Sequence, residues 1–300
     1  MADDAAVKAV TLLESLPWLR AHRGKVLVIK FGGSAMVDME LERAFAEDVV
    51  YLREVGVLPV VVHGGGPQIS AELSRRGIHS EFRGGLRVTS SETFAVVREV
   101  LAGQVGPALA AVLNEAAQVR ESGPLAQAIS GETGGLFVGM RRGTVVAGEQ
   151  VDLGLVGEVV SVDPAVIHSI LDAGQVPVVS SIAPDGEVPG QSLNVNADSA
   201  AAALAVALGA VGLLILTDVP GLYRDWPDRE SLVHSIGAAE LAELLPSLES
   251  GMIPKMAACL EAVDGAVGSA AIIDGRRPHS VLLEAFGSAG TTVLPREATA

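Results

Sequence analysis

The 300-residue chain predicts an α/β fold with parallel strands at its centre, organised as one large domain or two lobes. Two strand–glycine loop–helix units follow one another near the start. Short apolar runs of the length and composition of buried parallel strands then recur to the end. Hydrophobic residues make up 49% of the chain and aromatics only 3%, so its core must be built from Ala, Val, Leu and Ile.

Taken in order, Asp3–His22 reads as a mobile amphipathic helix with Val10, Leu13, Leu16 and Leu19 in a stripe, kinked at Pro17. Its apolar face must dock on its own domain or on another subunit, and the second is the expectation. Lys25–Lys30 is a buried strand, Phe31-Gly32-Gly33-Ser34 a tight turn, and Asp38 the cap of a helix reaching Val55. Val57–His63 is the next strand. The run His63-Gly64-Gly65-Gly66-Pro67 repeats the arrangement, with proline opening the following helix. Each glycine loop alone could be a mere turn. Two at one sheet edge, with Lys30 ending the first strand, form a natural site for phosphate or carboxylate.

Ser80–Val88 suggests a hairpin whose adjacent glycines let Arg87 lean over the loops and grip a carboxylate with its fork. Ser91–Asn114 reads as helix with weak points at Gly103 and Gly106. Ala126–Val138 and Val145–Val160 read as β segments of a flap or meander. Pro164–Ala173 is a helix, and Val176–Ile182 a buried strand.

Ser192–Ala200, SLNVNADSA, precedes a small-residue helix that is apolar on every side. Asn194, Asn196 and Asp198 alternate there, so an extended approach would set all three side chains on one face, although an N-cap needs only one of them. Val211–Thr217 is a further core strand. Thr217-Asp218 ends it at a turn suited to nucleotide recognition or simply to turning. Ala238–Leu245 is helical, Gly251–Lys255 opens a helix, Ala270–Ile273 is a strand, and Gly287–Thr292 is a turn.

The formal charge of −15 argues against nucleic acid as a main partner. The single cysteine, Cys259, excludes an internal disulfide and a thiolate zinc cage, and reads as a buried, inert thiol. The start is acidic, and no uninterrupted apolar run reaches the ~20 residues a spanning helix needs, so no membrane is expected and the chain reads as cytoplasmic. Only four lysines occur, Lys8, Lys25, Lys30 and Lys255, in a chain that otherwise uses arginine. Lys30 and Lys255 therefore suggest sites where a compact point charge is wanted.

Two lysines, one arginine, glycine loops and Asp198 suffice to transfer a phosphoryl group from ATP to a carboxylate. Such an acceptor is already ionised, so no general base is needed, and catalysis is positioning plus cationic stabilisation. Asp198 would orient the two ammonium groups. Magnesium would arrive on the nucleotide, with no metal ligands on the protein itself.

The motifs VIKFGGSA, VVHGGGPQI, GLRVT, LNVNADSA and GMIPKM together resemble the N-acetylglutamate kinases of the amino-acid kinase family along nearly the whole chain. The resemblance implies an open αβα sandwich with an N-terminal lobe (23–183) for the acyl amino acid and a C-terminal lobe (184–300) for ATP. It makes Lys30 and Lys255 the transition-state lysines and Asp198 their organiser. Gly65 and Gly66 become backbone donors to substrate, and Arg87 and Asn194 its carboxylate ligands. Gly32, Gly33, Thr217 and Asp218 fall on the nucleotide side. The implied reaction makes N-acetylglutamyl 5-phosphate, the second step of arginine biosynthesis.

Residues 1–22 resemble the helix that interlaces arginine-inhibited hexamers. By that resemblance His279, Glu284 and Gly290 would border an arginine effector site, and a PII-type signal protein is a possible partner. The Gly290-Thr291-Thr292 run is shorter than the family's. A kinase for N-acetylaminoadipate or aspartate, or a non-catalytic arginine-binding subunit, are the alternative readings.

Overall fold

Eight strands form one central sheet in a computed structural model that describes residues 2–118, 123–146, 149–287 and 289–296. They are β1 (Val26–Phe31), β2 (Leu58–His63), β3 (Ala126–Ser130), β4 (Val176–Ser180), β5 (Gly212–Thr217), β6 (Ser235–Gly237), β7 (Ala270–Asp274) and β8 (Thr291–Leu294). Their order across the sheet is β6-β8-β7-β5-β1-β2-β4-β3. Every neighbouring pair is parallel except β7 with β8.

The helices are α1 (Ala2–His22), α2 (Met39–Glu54), α3 (Gly66–Arg75), α4 (Ser91–Val100), α5 (Gly106–Ala116), α6 (Ala165–Asp172), α7 (Ala197–Ala207), α8 (Ala238–Leu244), α9 (Ile253–Asp264) and α10 (Ser280–Phe286). The period-two alternation of β1 decides which layer each side chain meets. Val26 and Val28 pack with residues of α6, α7, α8 and α9. Leu27, Ile29 and Phe31 pack with α2, α3, α4, α5 and α10. The result is the expected αβα sandwich. Val28, Ile29 and Phe31 are fully buried, each contributing about 1.5–3 kcal/mol over an exposed position. Continuing the alternation, Lys30 faces α7 and His63 the opposite layer.

A smaller sheet runs beside the central one, in the order Ile182–Pro184, Ser192–Val195, Val156–Val162, Phe137–Arg141. Two expectations about strands need correction. Ala126–Ser130 is no part of a flap but pairs in parallel with β4 at the edge of the central sheet, Ala126 opposite Val176. The turn expected over Gly287–Thr292 ends earlier, because Thr291–Leu294 is a strand inserted between β6 and β7. Thr291 is fully buried, yet its hydroxyl accepts from the Leu222 amide at 2.8 Å and donates to the Val233 carbonyl, so its polarity is satisfied.

The weak points in the long helix take a definite form. Between α4 and α5 the chain makes a π-helical turn at Leu101–Val105, after which Pro107 restarts the helix without needing its missing amide. The continuous run 91–116 is long and apolar enough by composition to cross a membrane, but Val96, Val97, Val100, Leu109 and Leu113 are in the core. Helix α1 runs through Pro17 without a break.

Candidate active site

The first glycine turn follows β1 because a side chain there would collide with functional groups. A Cβ on Gly32 would lie 2.6 Å from Lys30 Nζ. Gly33 has φ +74°, and a Cβ there would lie 2.7 Å from Asp218 Oδ1. The turn therefore brings Lys30, Gly33 and Asp218 into one place, at the carboxyl ends of the adjacent strands β1 and β5.

Asp198 stands in the first turn of α7. Only Ser192–Val195 of the SLNVNADSA stretch is extended, so the three polar residues do not share one strand face. Asn196 is instead the N-cap, its Oδ1 accepting from the amides of Asp198 at 2.7 Å and Ser199 at 3.3 Å. With capping assigned to Asn196, the Asp198 carboxylate turns to the lysines. Lys30 Nζ lies 2.9 Å from its Oδ1, and Lys255 Nζ donates to its Oδ2 at 3.0 Å.

Burial alone would raise the Asp198 carboxyl, but the two ammonium groups outweigh it and hold it below its usual value. Burial pulls the Lys30 ammonium below its usual value, with Asp198 opposing and Lys255 reinforcing. Two cations bridged by one anion carry a net charge of +1, and Asp218 also lies near enough to Lys30 to favour its ammonium form. Lys255 is the third residue of α9, where the helix dipole disfavours a cation. Asp198 offsets that cost, and such a locally unfavourable placement is itself a sign of function.

The second glycine loop lines a cavity of about 170 Å³ with Phe82, Arg87 and Asn194. Arg87 is buried, donating to Ser70 Oγ at 2.8 Å, to the Gly66 carbonyl at 3.3 Å and to Ser80 Oγ. The Phe82 ring stacks 4.5 Å from its guanidinium carbon. The arginine is thus clamped to the rim of the cavity rather than swinging freely. Asn194 Nδ2 donates to Thr89 Oγ1 at 3.3 Å. Thr89 closes the GLRVT motif, whereas Ser70 and Ser80 had no distinguishing signal in the sequence, since each acquires its role from a partner brought in by the fold.

On the other side, the Thr217 carbonyl accepts from the Gly275 amide at 2.8 Å, opposite Asp274, which holds Arg276 through two 2.8 Å bonds. Beyond them a cavity of about 90 Å³ is lined by Val219, Tyr223, Trp226 and Met252. Tyr223 and Trp226, with ring centroids 5.3 Å apart, were missed. A signal existed: in a chain with two Tyr and two Trp, one of each falls just after the Thr217-Asp218 turn. A wider cleft of about 370 Å³ lies between Gly84-Gly85 and Pro254 and includes Asn196 and Ser250. Among the described residues, no group of three or more His, Cys, Asp or Glu side chains is placed to hold a metal ion.

Of His279, Glu284 and Gly290, His279 precedes and Glu284 belongs to α10, and Glu284 reaches Gly290. Glu284 lines a cavity of about 70 Å³ with Trp18, His22 and Thr292. Its carboxylate accepts from the amides of Ala289 and Gly290 at 2.7 and 3.1 Å. His279 instead lies 2.8 Å from Asp48 Oδ1, tying α10 to α2. Gly290 leaves no room for a side chain, because a Cβ would lie 1.9 Å from the Ile272 carbonyl oxygen. Cys259 is fully buried, and burial pushes its thiol far up, so it is inert.

The amino acid kinase family model matches residues 25–274. The chain is 62% identical over 293 residues to acetylglutamate kinase of Leifsonia xyli subsp. xyli, covering 97% of this chain and 95% of that one. It is 66% identical, with the same coverage, to acetylglutamate kinase of Clavibacter michiganensis subsp. michiganensis. Among solved structures, it is similar to N-acetylglutamate synthase from Neisseria gonorrhoeae complexed with coenzyme A and N-acetyl-glutamate, with a TM-score of 0.79 and 25% identity. That match covers 97% of this chain and spans 64% of the synthase chain. Giardia carbamate kinase shares the fold at a TM-score of 0.65 and 19% identity. With a family model matched over most of its length and relatives this similar, the chain belongs to the amino acid kinase family.

Proposed function

We propose that the protein phosphorylates the side-chain carboxylate of N-acetyl-L-glutamate with ATP, yielding N-acetylglutamyl 5-phosphate and ADP, the second step of arginine biosynthesis. The observation that carries this reading is the bridge from Lys30 through Asp198 to Lys255 beside a glycine-lined cavity. The names of the relatives support it. A carboxylate oxygen attacks the γ-phosphorus, the bond to the β,γ-bridging oxygen breaks, and ADP leaves with that electron pair. No proton moves, which suits a site whose central carboxylate is already committed to two cations.

In this reading Lys30 and Lys255 neutralise the charge on the transferring group and its leaving oxygen, and Asp198 spaces them. The amides of Gly65 and Gly66, with Arg87 and Asn194, hold the acyl amino acid. Gly32, Gly33, Thr217 and Asp218 meet the nucleotide, which carries Mg2+ on its phosphates. The substrate lobe is 23–183 and the ATP lobe 184–300, and the reaction is cytoplasmic. Residues 1–22 assemble the chain into a hexamer, a trimer of dimers. Arginine regulates it next to that helix through Glu284, with His279 and Gly290 shaping the neighbourhood, and a PII-type protein is its signalling partner.

ADP release by the purified protein with ATP and magnesium tests the reaction across candidate acids. Release with N-acetylglutamate, and background rates with N-acetylaminoadipate and aspartate, are expected. The reverse preference, or no release with any of them, would overturn it.

A further inference from the structure

The acceptor cavity has a support on its far side that the chemistry above does not use. His63 ends β2 on the face opposite Lys30, and it is fully buried. Its Nδ1 lies 2.9 Å from the carbonyl oxygen of Gly64. A carbonyl only accepts, so Nδ1 must carry the hydrogen, and Nε2 is then the bare nitrogen. Nε2 is buried with no hydrogen-bond partner. Gly106, directly after the π-helical turn, comes up against it: a Cβ there would lie 3.0 Å from Nε2. From the same turn, Leu101 backs the loop itself, since a Cβ on Gly65 would lie 2.6 Å from its Cδ2.

The Gly64 carbonyl and the Gly65 amide belong to one planar trans peptide, so they point in opposite directions. Tying that carbonyl to the imidazole, away from the cavity, turns the Gly65 N–H toward it. A glycine run has little else to fix its peptide planes, because its residues lack the side chains that restrict φ and ψ.

We propose that His63 is a positioning residue which, by donating from Nδ1 to the Gly64 carbonyl, aims the Gly65 amide at the acceptor carboxylate, with the π-helical turn as the wall behind the ring. This rests on the acyl amino acid occupying the glycine-lined cavity. The environment suits the task. Burial pushes the imidazole down to about 4, so the ring stays neutral and keeps this tautomer at working pH. The role also explains the π-turn, which lets glycine rather than a bulkier residue meet the ring.

Steady-state kinetics of His63→Asn, His63→Leu and Gly106→Ala test the proposal, with KM for N-acetylglutamate and for ATP measured separately. Asparagine can present an amide donor near the position of Nδ1, and leucine cannot. His63→Leu should raise KM for N-acetylglutamate by about tenfold or more, with KM for ATP changed less than twofold, the loss expected for one positioning hydrogen bond. His63→Asn should recover most of that loss. Gly106→Ala keeps helical backbone, at φ −58°, and should raise the same KM severalfold by displacing the ring.

An unchanged KM for N-acetylglutamate in His63→Leu, or equal rises for both substrates, would overturn the proposal. So would a His63→Asn variant as impaired as His63→Leu. Should His63→Leu fail to fold, Gly106→Ala decides alone, and wild-type values there would overturn it. A wild-type protein inactive on N-acetylglutamate would instead refute the acceptor assignment, and this inference with it.

Discussion

Asp198 keeps two ammonium groups within reach of one small volume, which their mutual repulsion would otherwise forbid. Its two oxygens divide the work, one for each lysine. Replacing either lysine by alanine removes a preorganised cation from the transferring group, and Lys30→Ala and Lys255→Ala should each lower kcat by about 10²–10³-fold. Near-wild-type turnover in either variant would disprove its role. The two lysines and Asp198 were legible in the sequence because their types were unusual for their surroundings: lysine in an arginine-using chain, and an acid before an all-apolar helix. Arg87 was legible as a cation after a glycine pair. Its clamp was not, because Ser70 and Ser80 look like any surface serine until the fold sets them against it.

At the scale of elements, what places Asp198 is the junction between the strand Ser192–Val195 and α7. Asn196 caps that helix through two amides, one of them that of Asp198 itself. Asn196→Ala should cost about 1 kcal/mol in a urea titration. It should also lower kcat, since the backbone carrying Asp198 loses an anchor; a variant with stability and kcat both unchanged would contradict that placement. The capped helix was predictable from SLNVNADSA, but which polar residue caps it was not, because Asn and Asp are equally good caps. The strand–glycine loop–helix units could be read from periodicity and punctuation alone. The place of Ala126–Ser130 in the central sheet, though its β character was read, and the strand Thr291–Leu294 could not. The first is a short edge strand whose exposure varies along its length, and the second hides a buried threonine among residues that usually turn the chain.

Across the whole molecule, α1 is the part least absorbed by the core. Val7, Val10, Leu12 and Leu13 are 53–69% exposed, while Trp18 at the other end packs edge-on against Phe286 and stacks on His22. A helix that shows a run of apolar side chains to solvent at one end and docks at the other suits contact with a second copy. Deleting residues 1–22 should reduce the assembly to dimers, and an unchanged mass by light scattering would refute this. The sequence pointed to such a helix, but only the fold shows that its anchored end borders the cavity containing Glu284.

If the lysine–aspartate bridge serves transfer to a carboxylate, the product must be an acyl phosphate. An acyl phosphate reacts with hydroxylamine to give a hydroxamate, whereas simple ATP hydrolysis leaves nothing to trap. With N-acetylglutamate, ATP, magnesium and hydroxylamine, one side-chain hydroxamate is expected for each ADP released. ADP formed without hydroxamate, or hydroxamate formed equally from aspartate, would contradict it.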